Sequence, residues 1–140
     1  MHHFASVVLV DRQGRVLLQE RDSRPRLDPD RWGYPGGGVE AGETYEQAAY
    51  RELEEETGVR LSPGTLELVG EFRFWSEPCG EDDEFRLYAA GTALTEVECH
   101  EGRQMAFVEP AVALGLDLTV SARLTLGDFL ASPLYARVGP

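Results

Sequence analysis

The chain has 140 residues, with 25 acidic against 13 basic side chains and a formal net charge of −12. Its 42% hydrophobic and 27% charged content is that of a globular protein, which excludes a disordered, collagen-like or coiled-coil chain and suits one domain over 1–140, with a core that needs no disulfide or zinc staple. So acidic a surface argues against a nucleic-acid polymer or an anionic membrane held on a basic face, and a phosphorylated ligand needs help to approach.

Met1 to Val10 is apolar but short, and it lacks the basic start of a signal peptide. No run approaches the length of a membrane span. Phe4 to Val10 and Arg15 to Arg21 read as two strands joined by the tight turn Asp11-Arg12-Gln13-Gly14. Asp22 to Trp32 has two prolines and no periodicity, so it reads as a loop carrying Arg24, Arg26 and Arg31. Tyr34-Pro35-Gly36-Gly37-Gly38 continues it as a glycine loop, costly in entropy unless something uses it.

Thr44 to Thr57 is built of helix formers, with Thr44 as the N-terminal cap and Gly58 just past the end. Tyr45, Ala49 and Leu53 recur at helical spacing and face the core. Leu66 to Trp75 and Glu84 to Leu94 read as long strands linked by an acidic, solvated loop, Glu77 to Glu84. A strand from Gln104 to Glu109, a short helical piece before Gly115 and a last helix from about Thr119 to Leu130 complete the pattern. Such interleaving indicates an α/β fold, a mixed sheet with helices packed on it. Cys79 and Cys99 lack metal-ligand spacing and read as free thiols of a reducing cytoplasm.

The informative segment is Arg51-Glu52-Leu53-Glu54-Glu55-Glu56-Thr57-Gly58. Residues three and four apart share a helix face, so Glu52, Glu55 and Glu56 project side by side and repel by a few tenths of a kcal/mol per pair. They also crowd the last turn, where the helix dipole disfavours each carboxylate by roughly 0.3–1 kcal/mol. A solvated charged face is the bland explanation of such a run. Clustered carboxylates on one rigid face are also what a hard divalent cation requires, and Mg²⁺ or Mn²⁺ relieves the repulsion.

The residues upstream decide between these. Glu43 stands eight residues before Arg51, and Gly37 six before Glu43. The whole segment Gly37 to Val59, GGVEAGETYEQAAYRELEEETGV, resembles the Nudix hydrolase box at every position, and Trp32 with Tyr34-Pro35-Gly36-Gly37 is similar to the family's entry into that box. Downstream, Glu101-Gly102 and Phe107-Val108 are similar to the distal acidic loop and following strand of MutT-like relatives.

This resemblance implies a Nudix-type α/β/α sandwich and a Mg²⁺-dependent hydrolysis, with Mn²⁺ as substitute, of a nucleoside diphosphate linked to another group. Glu52, Glu55 and Glu56, with the Gly36 carbonyl, match the metal-holding positions. Glu101 is the candidate distal acid, as metal ligand or general base, with Glu98 its competitor. Arg51 and Glu43 match residues that orient the cluster. Arg21 is the best-placed phosphate-binding cation, ahead of Arg24, Arg26 and Arg31; Tyr34, Gly37 and Gly38 complete the candidate substrate contacts. Phe72, Phe74 and Trp75 read as core aromatics before base-stacking ones. His2, His3 and His100 lack ligand spacing.

The implied partner is a small nucleotide, with no nucleic-acid polymer and no membrane, and relatives of this kind are commonly homodimers. Size and the Glu101 pattern favour a nucleoside triphosphate cleaved to monophosphate and pyrophosphate. Nucleotide-sugar or ADP-ribose hydrolysis is the enzymatic alternative, and a nucleotide-sensing module without turnover is the non-enzymatic one.

Overall fold

The computed structural model describes residues 1–25 and 28–139. Its spine is β1 (His2–Val10), which runs parallel to a later strand and antiparallel to two others. From Ala5 to Val10 every residue but Ser6 is an apolar side chain without exposure. Ala5, Val7 and Leu9 point to one side and Val8 and Val10 to the other, the alternation of a strand buried on both faces.

The turn after β1 is held by Asp11, whose Oδ1 accepts from the N–H groups of Gln13 and Arg15, and Gly14 takes the left-handed conformation the reversal needs. β2 (Val16–Glu20) then pairs with β1 only at Val10 and Val16. After the proline-containing loop come β3 (Trp32–Gly33), paired to β2, and β4 (Gly36–Gly38), paired to β1 at Phe4, Ala5 and Ser6. The glycine run is therefore a short strand where a loop was expected. Lacking side chains, it comes close enough to β1 to hydrogen-bond along it, which settles its entropy cost.

α1 (Tyr45–Thr57) starts on a full capping box between Thr44 and Gln47 and stops at Gly58, which takes φ 75°. Ala48, Ala49 and Leu53 pack on the Ala5, Val7 and Leu9 face, and Tyr45 sits at the margin of that cluster. β5 (Glu67–Ser76) and β6 (Glu81–Gly91) form a long hairpin, with β6 parallel to β1 from Asp83 to Gly91. β7 (Gln104–Val108) closes the other edge of β2. α2 (Pro110–Leu114) and α3 (Val120–Leu130) follow, and Ala113, Ala122, Leu126 and Phe129 fill the second core on the Val8 and Val10 face. A last short helix, α4 (Pro133–Val138), begins at the Ser132 cap and was not anticipated. The result is a mixed sheet between α1 on one side and α2 and α3 on the other, the α/β/α arrangement. Among the described residues no helix is long and apolar enough to cross a membrane.

The acidic segment departs from expectation. Only a short turn closed by Gly80 separates the strands, and Glu81, Asp82, Asp83 and Glu84 lie within β6. From Asp83 onward both of its edges are paired, and cross-strand side chains receive the acids: Arg73 meets Glu84 at 3.1 Å and His2 meets Asp83 at 2.9 Å. Tertiary pairing overrides the low strand propensity of Asp and Glu.

Leu53 is fully buried between α1 and the sheet, whereas Leu124 is 51% exposed. Leu53→Ala is expected to cost about 2–5 kcal/mol in urea denaturation, and Leu124→Ala to stay within about 0.5 kcal/mol of the parent.

Candidate functional site

β1 shares one edge between β4 and β2, and the sheet opens where they part. A cleft of about 1030 Å³ lies there, with Gly36, Gly37 and Gly38 along one rim and Glu101, Arg21 and Tyr34 around it. The N-terminus of α3 and the Asp28–Arg31 stretch supply the far wall. The acidic face of α1 borders the glycine rim.

Backbone pairing explains why the glycines face the acids. Val7 N–H donates to Pro35 and Val39 N–H to His3, so Gly36 and Gly38 occupy non-hydrogen-bonded positions opposite β1 and turn their N–H and C=O groups away from it. Gly36 N–H donates to Glu56 Oε2 at 2.8 Å, and Gly38 C=O accepts from Arg51 at 2.9 Å. Gly37 must lack a side chain for a different reason: a Cβ there would stand 2.5 Å from the Glu52 carboxyl carbon.

Arg51 is the hub of the acidic face. Its Nε and Nη2 form a two-pronged pair with Glu43 at 2.7 and 2.9 Å, and its Nη1 reaches Glu52 at 2.8 Å and Glu55 at 3.3 Å. The guanidinium holds Glu43 down to about 2, chiefly through this hydrogen bonding. Burial raises Glu52, and Arg51 offsets only part of that. Glu55 is the exposed member, its carboxylate turned to Arg51.

Glu56 bears the strain. It is 3% exposed, and its proton affinity is pushed up to about 10, first by burial, then by its hydrogen bond with Glu101 and by the charges of Glu101 and Glu52. Two carboxyl groups share a hydrogen bond only if one of them carries a proton. Gln19 Nε2 lies 3.5 Å from Glu56 and donates to the Glu101 carbonyl at 2.9 Å, linking helix to distal loop. Gln19 was not singled out from sequence; an amide directly after the apolar run Val16-Leu17-Leu18 was the available signal, and the structure leaves it 3% exposed.

The distal loop is fastened to the end of α1. Gly58 N–H donates to the Glu54 carbonyl, His100 Nδ1 to that of Glu55, His100 N–H to that of Glu56, and Glu98 N–H to that of Thr57. Every carbonyl that the helix leaves open in its last turn is thereby bonded. His100 Nε2 lies 2.6 Å from Glu98 Oε1. Both ring nitrogens face acceptor groups, an arrangement that favours the protonated ring at the negative end of the helix. The Glu98 carboxylate, then the Glu55 carbonyl, hold it above its ordinary value. Glu98 is thus engaged with His100, while Glu101 meets Glu56 and lines the cleft.

The remaining candidates divide. Tyr34 borders the cleft but is 6% exposed, its hydroxyl bonded to Thr125 at 2.7 Å. Arg31 also lines the cleft, paired with Asp28; Arg24 is exposed outside it, and Arg26 lies outside the described residues. Phe72 and Phe74 pack in an aromatic cluster with Phe4 and Phe85, but Trp75 is 56% exposed at the cleft. Both cysteines are free thiols. Among the described residues no three His, Cys, Asp or Glu side chains already converge as a metal cage.

The family profile described as NUDIX domain matches residues 2–116. A protein named RNA pyrophosphohydrolase from Francisella philomiragia is 44% identical over 70 residues, which is half of this chain and 41% of that protein, so the chain matches less than half the length of this relative. The structure of a MutT protein from Methanosarcina mazei superposes with a TM-score of 0.79 at 22% identity, covering 91% of both chains. The dihydroneopterin triphosphate pyrophosphohydrolase of E. coli superposes with a TM-score of 0.73 at 25% identity, covering 92% of this chain and 94% of that one.

In chelator, Glu56 keeps a proton that the unfolded chain releases near pH 4.3 or so, so the folded state binds more protons across the interval up to about 10. Stability is therefore expected to fall as pH rises through that window, by at most about 1.4 kcal/mol per pH unit. Urea midpoints at about pH 5.5, 7 and 8.5 measure it, and Glu56→Gln is expected to flatten the slope.

Proposed function

The chain belongs to the Nudix family, and on that premise we propose that it is a Mg²⁺-dependent pyrophosphohydrolase whose substrate is a nucleoside triphosphate, released as nucleoside monophosphate and pyrophosphate. The observation that carries this reading is the mutually repelling set of the buried Glu56, the half-buried Glu52 and the exposed Glu101 beside a glycine-rimmed cleft. An all-oxygen donor set of high negative charge fits a small divalent cation, and Mn²⁺ fits the same donors. A cation held there polarises the phosphoryl oxygens and lowers the pKa of the attacking water.

The chain's own groups divide the remaining work. Glu52, Glu55 and Glu56, with the Gly36 carbonyl of β4, would hold the cation. Glu55 gives up its contact with Arg51 to do so, and Glu56 gives up its proton. Glu101 ligates or takes the proton of the attacking water. Arg51, anchored on Glu43, keeps the carboxylates in register with the glycine strand. Gly37 and Gly38 leave room for phosphates against the backbone, and Arg21 grips their far oxygens. The two free thiols suit a reducing, cytoplasmic setting, and the protein works alone or as a homodimer.

A second reading, an RNA as substrate, has one specific observation in its favour: the 44%-identical relative is named RNA pyrophosphohydrolase. The net charge of −12 weighs against it, because a polymer backbone needs cations along its path.

A Mg²⁺-dependent screen across nucleoside triphosphates, nucleotide sugars, ADP-ribose and a 5′-triphosphorylated oligoribonucleotide, with products identified, separates these substrates. Nucleoside triphosphates are expected to give the highest kcat/KM. Glu55→Gln and Glu56→Gln are expected to lower kcat by on the order of a thousandfold while the protein stays folded. Nucleotide binding without turnover of any substrate would instead support the sensing module.

A further inference from the structure

The cleft has a second end that the phosphate chemistry does not use. On the sheet face toward α3, neighbouring strands place His2, Asp83 and Phe74 in one row, Phe4, Phe85 and Phe72 in the next, and Ser76 with Glu81 at the tip. His2, Phe4, Phe74 and Ser76 line the cleft. Phe4 lies opposite Gly38 in β4 on one side and opposite Phe85 in β6 on the other. The distance from the glycine rim to β6 is thus two strand spacings, roughly 10 Å, which a ribose and its base fill.

Two buried polar atoms at this end have no hydrogen-bond partner among the described residues. Asp83 is 0% exposed; its Oδ1 accepts from His2 Nδ1 at 2.9 Å, and its Oδ2 is a buried atom without a hydrogen-bond partner. Ser76 is 3% exposed, and its Oγ is likewise unpartnered. Buried polar atoms left in this state are uncommon in folded proteins, because each forfeits its hydration without compensation. The His2 side chain is 54% exposed and stands over Asp83, with Glu81 3.3 Å from the same Nδ1.

We propose that Asp83 and Ser76, with His2 as their movable cover, form the base-reading end of the cleft and select a nucleobase that carries an exocyclic amine. The inference rests on the nucleotide-hydrolase reading above and names the part of the nucleotide which that reading leaves open. A carboxylate only accepts, so it takes N–H donors and repels a keto oxygen at the same place. The adjacent hydroxyl both donates and accepts, and so serves the ring atom beside the amine. Phe4 and Phe74 offer flat apolar surface for a base. Glu81 and Asp83 make this end anionic and turn away a further phosphate. Ring opening or covalent chemistry has no part here; the contact is recognition alone.

The test compares kcat/KM of the full chain for GTP against ITP, ATP against ITP, and CTP against UTP, where the first member of each pair has the amine. The amine-bearing member is expected to win by about tenfold or more in the pair whose ring the cleft accepts. Asp83→Asn, whose amide also donates, is expected to bring that ratio to within about threefold of unity, mainly through KM. Ser76→Ala is expected to reduce the preference partly. Thermal unfolding checks that each variant is folded; should Asp83→Asn not fold, the parent ratios and Ser76→Ala decide. Equal use of amine and keto members by the parent, or an undiminished preference in folded Asp83→Asn or Ser76→Ala, overturns the inference. Hydrolysis of no nucleoside triphosphate by the parent overturns the reading beneath it, and the inference with it.

Discussion

Everything near the cleft answers to one constraint: a carboxylate, Glu56, is buried at the negative end of a helix beside other carboxylates. Burial and like charge both oppose its ionisation, and Glu101 and Glu52 add to the pressure. The sequence places no basic residue in the last turn of α1. Compensation comes from outside the helix. Gly36 donates a backbone N–H from β4, Arg51 draws Glu43, Glu52 and Glu55 together, and the His100 ring sits on the helix end from a loop that follows β6. A protein that gathers such supports around an unfavourable charge keeps the charge for use.

The fold supplies the rigidity that this arrangement needs. β1 is buried on both faces, so α1 packs on one side and α2 and α3 on the other, and neither can shift without opening a core. The unequal sharing of β1 between β4 and β2 leaves a gap in the sheet, and the cleft occupies it. The glycine strand belongs to both systems: its pairing with β1 fixes its position, and the groups it turns away from β1 reach Glu56 and Arg51.

Much of this was legible in the sequence where function and local geometry share a short segment. The box from Gly37 to Val59 carries the helix, its caps and the acidic face within one stretch, and the Thr44 cap and Gly58 stop follow directly from residue type. The preference for Glu101 over Glu98 came from the resemblance alone, because both lie in the same loop. What separates them is the docking of His100 on α1, a contact over 45 residues of chain. Gln19, Asp83 and Ser76 were likewise hidden, since their meaning depends on strands paired across long separations. The acidic segment misled for a related reason: charge read as solvation, whereas pairing on both edges of β6 made it strand and buried Asp83 completely.

The net charge of −12 now has a location, with seven glutamates and one arginine between residues 40 and 56. An acidic protein and an anionic substrate are reconciled if cations stand between them, and that requires Glu56 to exchange its proton for metal. Calorimetric titration of Mn²⁺ or Mg²⁺ in buffers of different ionisation enthalpy, at about pH 7.5, counts the protons released per binding event. Release approaching one proton is expected, and it is lost in Glu56→Gln. Cation binding at this site with no proton released, or with the same release in Glu56→Gln, would contradict it.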